Sequence, residues 1–282
     1  METATSSLSR LFARQIAERR LELPPMPGTA SEVMALCQQE STDAAKLSVV
    51  IHRDQTIASN VLRVANSAAY VGQMPVASLQ QAISRLGLQL ITEIATAVAV
   101  RGRLFANPTC AELLGALWKH SVLTGFYTKE IARLQRRNVE IAFLCGLLHD
   151  LGKAVLLNSV DRVLGKEQMA VPVAELLQAV HEQRVPAGAL LASAWQLPPQ
   201  VAEAIACHHE PMQAKSYADM AMAVCLADQL SHFLLPSEFA AAPTEAELRG
   251  HEVLVGLNLY PDQLEQLIGL KEKALSVVEG MR

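Results

Sequence analysis

Two segments of this chain put ionisable side chains where burial is expected. In Cys145-Gly146-Leu147-Leu148-His149-Asp150-Leu151-Gly152-Lys153 a His-Asp pair interrupts an apolar run, and in Val224-Cys225-Leu226-Ala227-Asp228 a lone acid ends another. An ionised carboxylate in such surroundings is costly unless it is paired or bound to a metal. His120, in Trp118-Lys119-His120-Ser121, adds an imidazole from an earlier helix. Two imidazoles and two carboxylates suit one divalent ion (Mn, Fe, Mg or Zn), which would offset the charge of both acids. Without it, two unpaired carboxylates would raise each other's pKa. Each residue also has a structural alternative. Asp150 would cap the helix after Gly152, His149 would be a hydrogen-bonded core residue, and Lys153 would be a solvated residue beyond a helix end. A metal-free network of protonated histidines, with Arg184 neutralising the acids, would gather the same groups.

The elements that must position these residues read as helices. Of the 282 residues, 51% are hydrophobic and only 4% aromatic, so the core is built from Leu, Ala, Val and Ile, which favours an all-α fold over β-pairing. Three prolines in Leu23-Pro24-Pro25-Met26-Pro27 force an extended entry. Helical spacing follows from Thr29, and Ser41-Thr42-Asp43 is a plausible cap. Asn66-Ser67-Ala68-Ala69-Tyr70 breaks the pattern before a helix that starts near Ser78. On that helix Leu86, Leu90, Ile91 and Ile94 should be buried. Asn107-Pro108 is the best internal boundary. It divides the chain into an N-terminal extension (1–15), a helical bundle (16–105), a second bundle (106–235) and a C-terminal extension (236–282). Helices are predicted over 113–134, 140–148, 173–180, 188–195, 199–209 and 217–230, then over 244–258 and 261–278.

These motifs resemble those of a known family. His120, His149-Asp150 and Asp228 follow the H…HD…D order of HD-domain metal-dependent phosphohydrolases. Leu23-Pro24-Pro25-Met26-Pro27, Asp54-Gln55-Thr56-Ile57, Val61 to Tyr70, Ala82 to Gly87, Trp195-Gln196-Leu197-Pro198 and His208-His209-Glu210-Pro211 look like the HDOD branch of that superfamily. The resemblance runs from about Ile16 to Pro211. It implies a helical module of bacterial signalling, with His120, His149, Asp150 and Asp228 as metal ligands and Asp150 and Lys153 as the groups nearest any catalysis. The related HD-GYP phosphodiesterases follow their His-His-Glu with Gly-Tyr-Pro, where this chain has Pro211-Met212-Gln213. Where those relatives place a second-metal histidine, four residues before Gly188, this chain has Arg184, with His181 one turn earlier. Ala116 stands where some supply a metal-binding Glu. His208, His209, His181 and Arg184 are thus candidates for a second site or the adjoining cleft.

Composition narrows the rest. The net charge of −4 comes from mixed acids and bases with no basic block, which disfavours DNA and anionic membranes as partners. Cys37, Cys110, Cys145, Cys207 and Cys225 are scattered, with no CxxC, and read as reduced core residues. The start of the chain has no apolar stretch of signal-peptide type, and Leu86 to Val100 is short for a membrane span and contains Glu93. The expectation is a cytoplasmic regulatory protein, non-catalytic or weakly catalytic, that answers to a protein partner or a small nucleotide. The alternative is a metal-dependent phosphohydrolase acting on a nucleotide or phosphodiester.

Overall fold

The computed structural model describes residues 7–37, 44–67, 70, 75–164 and 171–281. The cap expected at Ser41-Thr42-Asp43, and Ala68-Ala69 of the Asn-Ser-Ala motif, lie outside them. Among the described residues there are helices and no strands, with one isolated bridge between Ser237 and Ala240.

Four helices, α1 (Ser7–Ala17), α2 (Gly28–Cys37), α3 (Ala44–His52) and α4 (Gln55–Ala65), precede the long α5 (Leu79–Leu104). Asp54 caps α4 by accepting from the Thr56 and Ile57 amides, and Ser78 caps α5 through the Gln81 amide. The Asn66 side chain accepts from the Val76 amide (2.7 Å) and donates to its carbonyl (2.9 Å), pinning the approach to α5. Gly87 adopts φ +80°, which L side chains rarely adopt, and splits α5 into two helical pieces. Helix α5 packs against α2, α3 and α4 and also reaches the second group of helices. Ile91 and Ile94 are buried as expected, and Leu86 and Leu90 are partly buried against the same core. At 26 residues α5 is long and apolar enough to cross a bilayer, which the shorter run read from sequence did not suggest. Here it is a core helix bearing a buried Glu93.

The second group is α6 (Ala111–Leu134), α7 (Val139–Leu148), α8 (Leu151–Leu164), α9 (Val173–Ala194), α10 (Pro199–Cys207) and α11 (Ala218–Leu234). Helix α8 corresponds to the helix expected after Gly152, whose end the sequence does not mark. Helix α9 is continuous where two helices were expected, because Pro186 removes one backbone donor without ending it. Helix α6 is central, packed by α7, α8 and α11. The tail is more divided than the sequence suggests, as α12 (Glu245–Arg249), α13 (Val253–Gly256), α14 (Pro261–Gly269) and α15 (Lys271–Gly280). The end of α15 is held by Arg63, which donates to the Gly280 carbonyl, and by Arg101 and the Trp118 indole, which donate to that of Met281. Two motifs distant in sequence also meet: the Trp195 indole donates to the Pro24 carbonyl at 2.9 Å. Helix α1 packs on α8 and α9.

Candidate metal centre

Helix α7 ends at Leu148 and α8 begins at Leu151, so His149 and Asp150 occupy the joint between two buried helices. Helix α9 passes so close to this joint that a Cβ on Gly152 would overlap the Arg184 carbonyl, and only glycine permits the approach. That contact brings Arg184 to the site. Helix α6 supplies His120 and α11 supplies Asp228. The Asp150 side chain does not cap α8. Its Oδ2 accepts from Lys153 Nζ at 2.6 Å, and Lys153 is only 3% exposed, not solvated.

The donor atoms of His120, His149, Asp150 and Asp228 all lie within 4.8 Å of one another. His120 Nε2 is 2.9 Å from Asp228 Oδ1 and 3.3 Å from His149 Nε2. His149 Nε2 is 3.2 Å from Asp150 Oδ2 and 3.4 Å from Asp228 Oδ1. His120 to Asp150 is longer, at 3.9 Å. Bond lengths of about 2.0–2.2 Å with angles between octahedral and tetrahedral would separate neighbouring ligand atoms by roughly 2.8–3.6 Å. Of these five separations, four fall in that range. His149 Nδ1 donates to the Gly146 carbonyl at 2.7 Å, which leaves Nε2 as the lone-pair nitrogen aimed at the cluster. His208 Nδ1 donates to the Ala204 carbonyl at 2.9 Å, so its buried Nε2 is an acceptor with no donor among the described residues, 3.8 Å from Asp150 Oδ1. The donor set and this orphaned nitrogen fit a divalent cation.

The charges can also balance without one. Burial alone would lower His149, but the Asp150 and Asp228 carboxylates override it and raise its pKa to about 9. Burial would raise Asp150 and Asp228, yet both are held well below the usual range. Lys153 and His149 act on Asp150, and His120 and His149 act on Asp228. Burial, with His149 and His209 adding to it, lowers His208 to about 3. One carboxylate is thus matched by Lys153 and the other by an imidazolium.

His232, on α11 one turn after Asp228, was not singled out from sequence. Its Nε2 is 3.5 Å from Asp228 Oδ1 and its ring stacks on His120 with centroids 4.3 Å apart. The four-residue spacing from Asp228 was the available signal. Burial, followed by His120, lowers its pKa to about 4. Asp150, His208 and His209 form a second possible donor group. There, however, Arg184 Nε donates to His209 Nε2 at 2.9 Å, so a second ion would have to displace a guanidinium. His181 belongs to neither group among the described residues. Its carbonyl accepts from Arg184 and its side chain faces solvent.

The family model for the HDOD domain matches residues 23–211, well over half of the chain. This chain belongs to the HDOD family. Solved structures share its fold. An HDOD domain protein of unknown function from Geobacter sulfurreducens superposes with a TM-score of 0.73 at 22% identity, covering 98% of each chain. A candidate metal-dependent phosphohydrolase from Shewanella amazonensis SB2B gives 0.70 at 20%, covering 98% of this chain and all of that one. A candidate signal transduction protein from Marinobacter aquaeolei VT8 gives 0.71 at 21%, covering 99% of this chain and 67% of that one. An uncharacterised protein of Treponema pallidum (strain Nichols) is 24% identical over 245 residues. The match covers 83% of this HDOD chain and 46% of the relative, so the chain spans about half that relative's length.

Proposed function

We propose that this HDOD protein is a bacterial signal-transduction module that binds one divalent ion at His120, His149, Asp150 and Asp228 and responds to a ligand instead of turning it over. Its working parts are the bundle of residues 16–105, the HD-like bundle of 106–235 and the extension beyond, and we place it in the cytoplasm. The observation that carries this reading is the Arg184–His209 hydrogen bond, which fills the second donor group with a fixed positive charge. Two imidazoles among the donors favour Mn²⁺, Fe²⁺ or Zn²⁺ over Mg²⁺, which prefers oxygen. The ligand is a partner protein or a small nucleotide, in keeping with a net charge of −4 and no basic block for DNA or membrane.

A metal-dependent phosphohydrolase is the second reading, favoured by the four-donor core and by Lys153 beside Asp150. A divalent ion there would supply Lewis acidity toward a phosphoester. Lys153 would offer charge to a phosphate, though in this structure it is committed to Asp150.

Incubation of Mn²⁺-loaded protein with cyclic di-GMP and a generic phosphodiester separates the readings. The proposal expects negligible hydrolysis of both, and a rise in melting temperature when metal or a cognate nucleotide is added. Robust turnover that disappears in Asp150→Ala would replace it with the second reading.

A further inference from the structure

The one-ion centre is buried, although His209 of the adjoining donor group is exposed. His120, His149, Asp150, Lys153, His208, Asp228 and His232 are each only 1–3% exposed. A lysine is rarely buried so completely unless paired. Lys153 Nζ has one hydrogen-bond acceptor among the described residues, Asp150 Oδ2, although an ammonium carries three donors. On another side it meets an aromatic face, the Phe239 ring, 5.6 Å from Nζ to centroid. Phe239 lies in the tight turn closed by the Ser237–Ala240 bridge, and its amide donates to Ser237 Oγ at 3.4 Å. That turn follows directly on α11, the helix that carries Asp228 and His232. It lies outside residues 23–211, the matched family region, as do Asp228 and His232.

We propose that the Ser237–Ala240 turn is a displaceable plug, with Phe239 covering Lys153 and thereby controlling access to the metal centre. The proposal rests on the one-ion reading above for what lies beneath the plug. The ligand that moves it is an anion of phosphate type, whose oxygens are better acceptors for the two spare Lys153 donors than an aromatic face is. Phe239 meets the lysine and, among the described residues, makes no ring contact with His120 or His149, so its removal is expected to change rates of access and to leave equilibrium metal affinity in place.

The test compares wild type, Phe239→Ala and Phe239→Leu in two measurements. In the first, a small amine-acylating reagent is added and modification of Lys153 is followed by peptide mass spectrometry, with exposed Lys273 as the internal reference. Lys153 should react slowly in wild type. If local opening limits access, it should react on the order of tenfold faster in Phe239→Ala, with Phe239→Leu close to wild type. In the second, Mn²⁺-loaded protein is challenged with EDTA, and Phe239→Ala should release its ion faster at unchanged affinity. Equal Lys153 rates in wild type and Phe239→Ala overturn the plug whether or not metal binds. If no Mn²⁺ binds, the one-ion reading fails and the lysine rates alone judge the plug. A simultaneous rise at Lys129, which is buried elsewhere, marks global unfolding. The comparison then moves to Ser237→Gly, which loosens the turn and should still raise the Lys153 rate, and an unchanged rate there overturns the plug.

Discussion

Helix α6 holds two buried charge clusters, one at each half, and they are built differently. At Lys129, Nζ meets Glu93 Oε2 at 2.6 Å, joining α6 to α5 as one cation against one anion. Burial raises the Glu93 pKa although Lys129 pulls it down, so desolvation of the carboxylate outweighs the attraction within the pair. At His120, two carboxylates, Lys153 and four imidazoles crowd together, and among the described residues His208 Nε2, 3.8 Å from Asp150 Oδ1, is left without a hydrogen-bond partner, as are the Nδ1 atoms of His120 and His232 on the ring side away from Asp228. A buried pair that serves the fold closes on itself. A centre that directs more donors to one point than its own charges use is organised around something else.

The largest expected effect lies in the second cluster. Asp150→Ala or Asp228→Ala should weaken Mn²⁺ or Zn²⁺ binding by about 100-fold or more, read by competition with a chromophoric chelator. Glu93→Gln should leave that affinity within a factor of about three, because sites more than about 7–10 Å apart with no shared partner act independently and Lys129 follows His120 along α6 by roughly 13 Å. A loss of metal in Glu93→Gln would erase the distinction between the clusters.

Breaking the first cluster sharpens the comparison through stability. Lys129→Met leaves Glu93 buried and unpaired and should cost about 3–5 kcal/mol in denaturant unfolding. The double variant Glu93→Leu/Lys129→Met should recover most of that. Additive losses would show that the two side chains do not act as a pair.

Gly152→Ala is expected to cost somewhat less, about 1–3 kcal/mol, because the added Cβ has to push the Arg184 backbone away from the His149–Asp150 joint. For a chain of this size that is a fall in melting temperature of roughly 2–4 °C per kcal/mol. An unchanged melting temperature would mean that α9 is not held against α8 in this way.

The smallest signal is a pH slope. In metal-free protein the His149 pKa is raised to about 9 from 6.5. The attraction of its imidazolium to Asp150 and Asp228 is therefore fully present below about pH 6.5 and is lost as pH rises through about 9. Melting temperature should decline across that window in chelator-treated protein and stay flatter in metal-loaded protein, where the ion replaces the proton. Parallel slopes would argue that the proton network alone occupies the centre.

Sequence made some of this visible and hid the rest for physical reasons. His120, His149, Asp150 and Asp228 could be picked out because charged or titratable groups stand against apolar neighbours. That they meet in space follows from helices α6, α7, α8 and α11, which spacing alone does not bring together. The extent of helix α8 was not read because Leu151 to Val160 is buried on nearly every face and shows little periodicity. Helix α9 was divided because Pro186 looks like a terminator, yet packing carries the helix through it. Arg184 drew attention through a family pattern, but its bond to His209 depends on the close passage of α9 over Gly152. Phe239 carried no sequence signal, being one aromatic in a loose stretch between two prolines.

The most direct test of the central claim is elemental analysis of protein purified without chelator or affinity-tag nickel, followed by titration with Mn²⁺, Fe²⁺ and Zn²⁺. The account predicts about one equivalent of divalent metal per chain, lost in Asp150→Ala and in Asp228→Ala. Less than roughly a tenth of an equivalent, with no uptake of any of the three ions, would contradict it and leave the closed proton and lysine network as the structure of the centre.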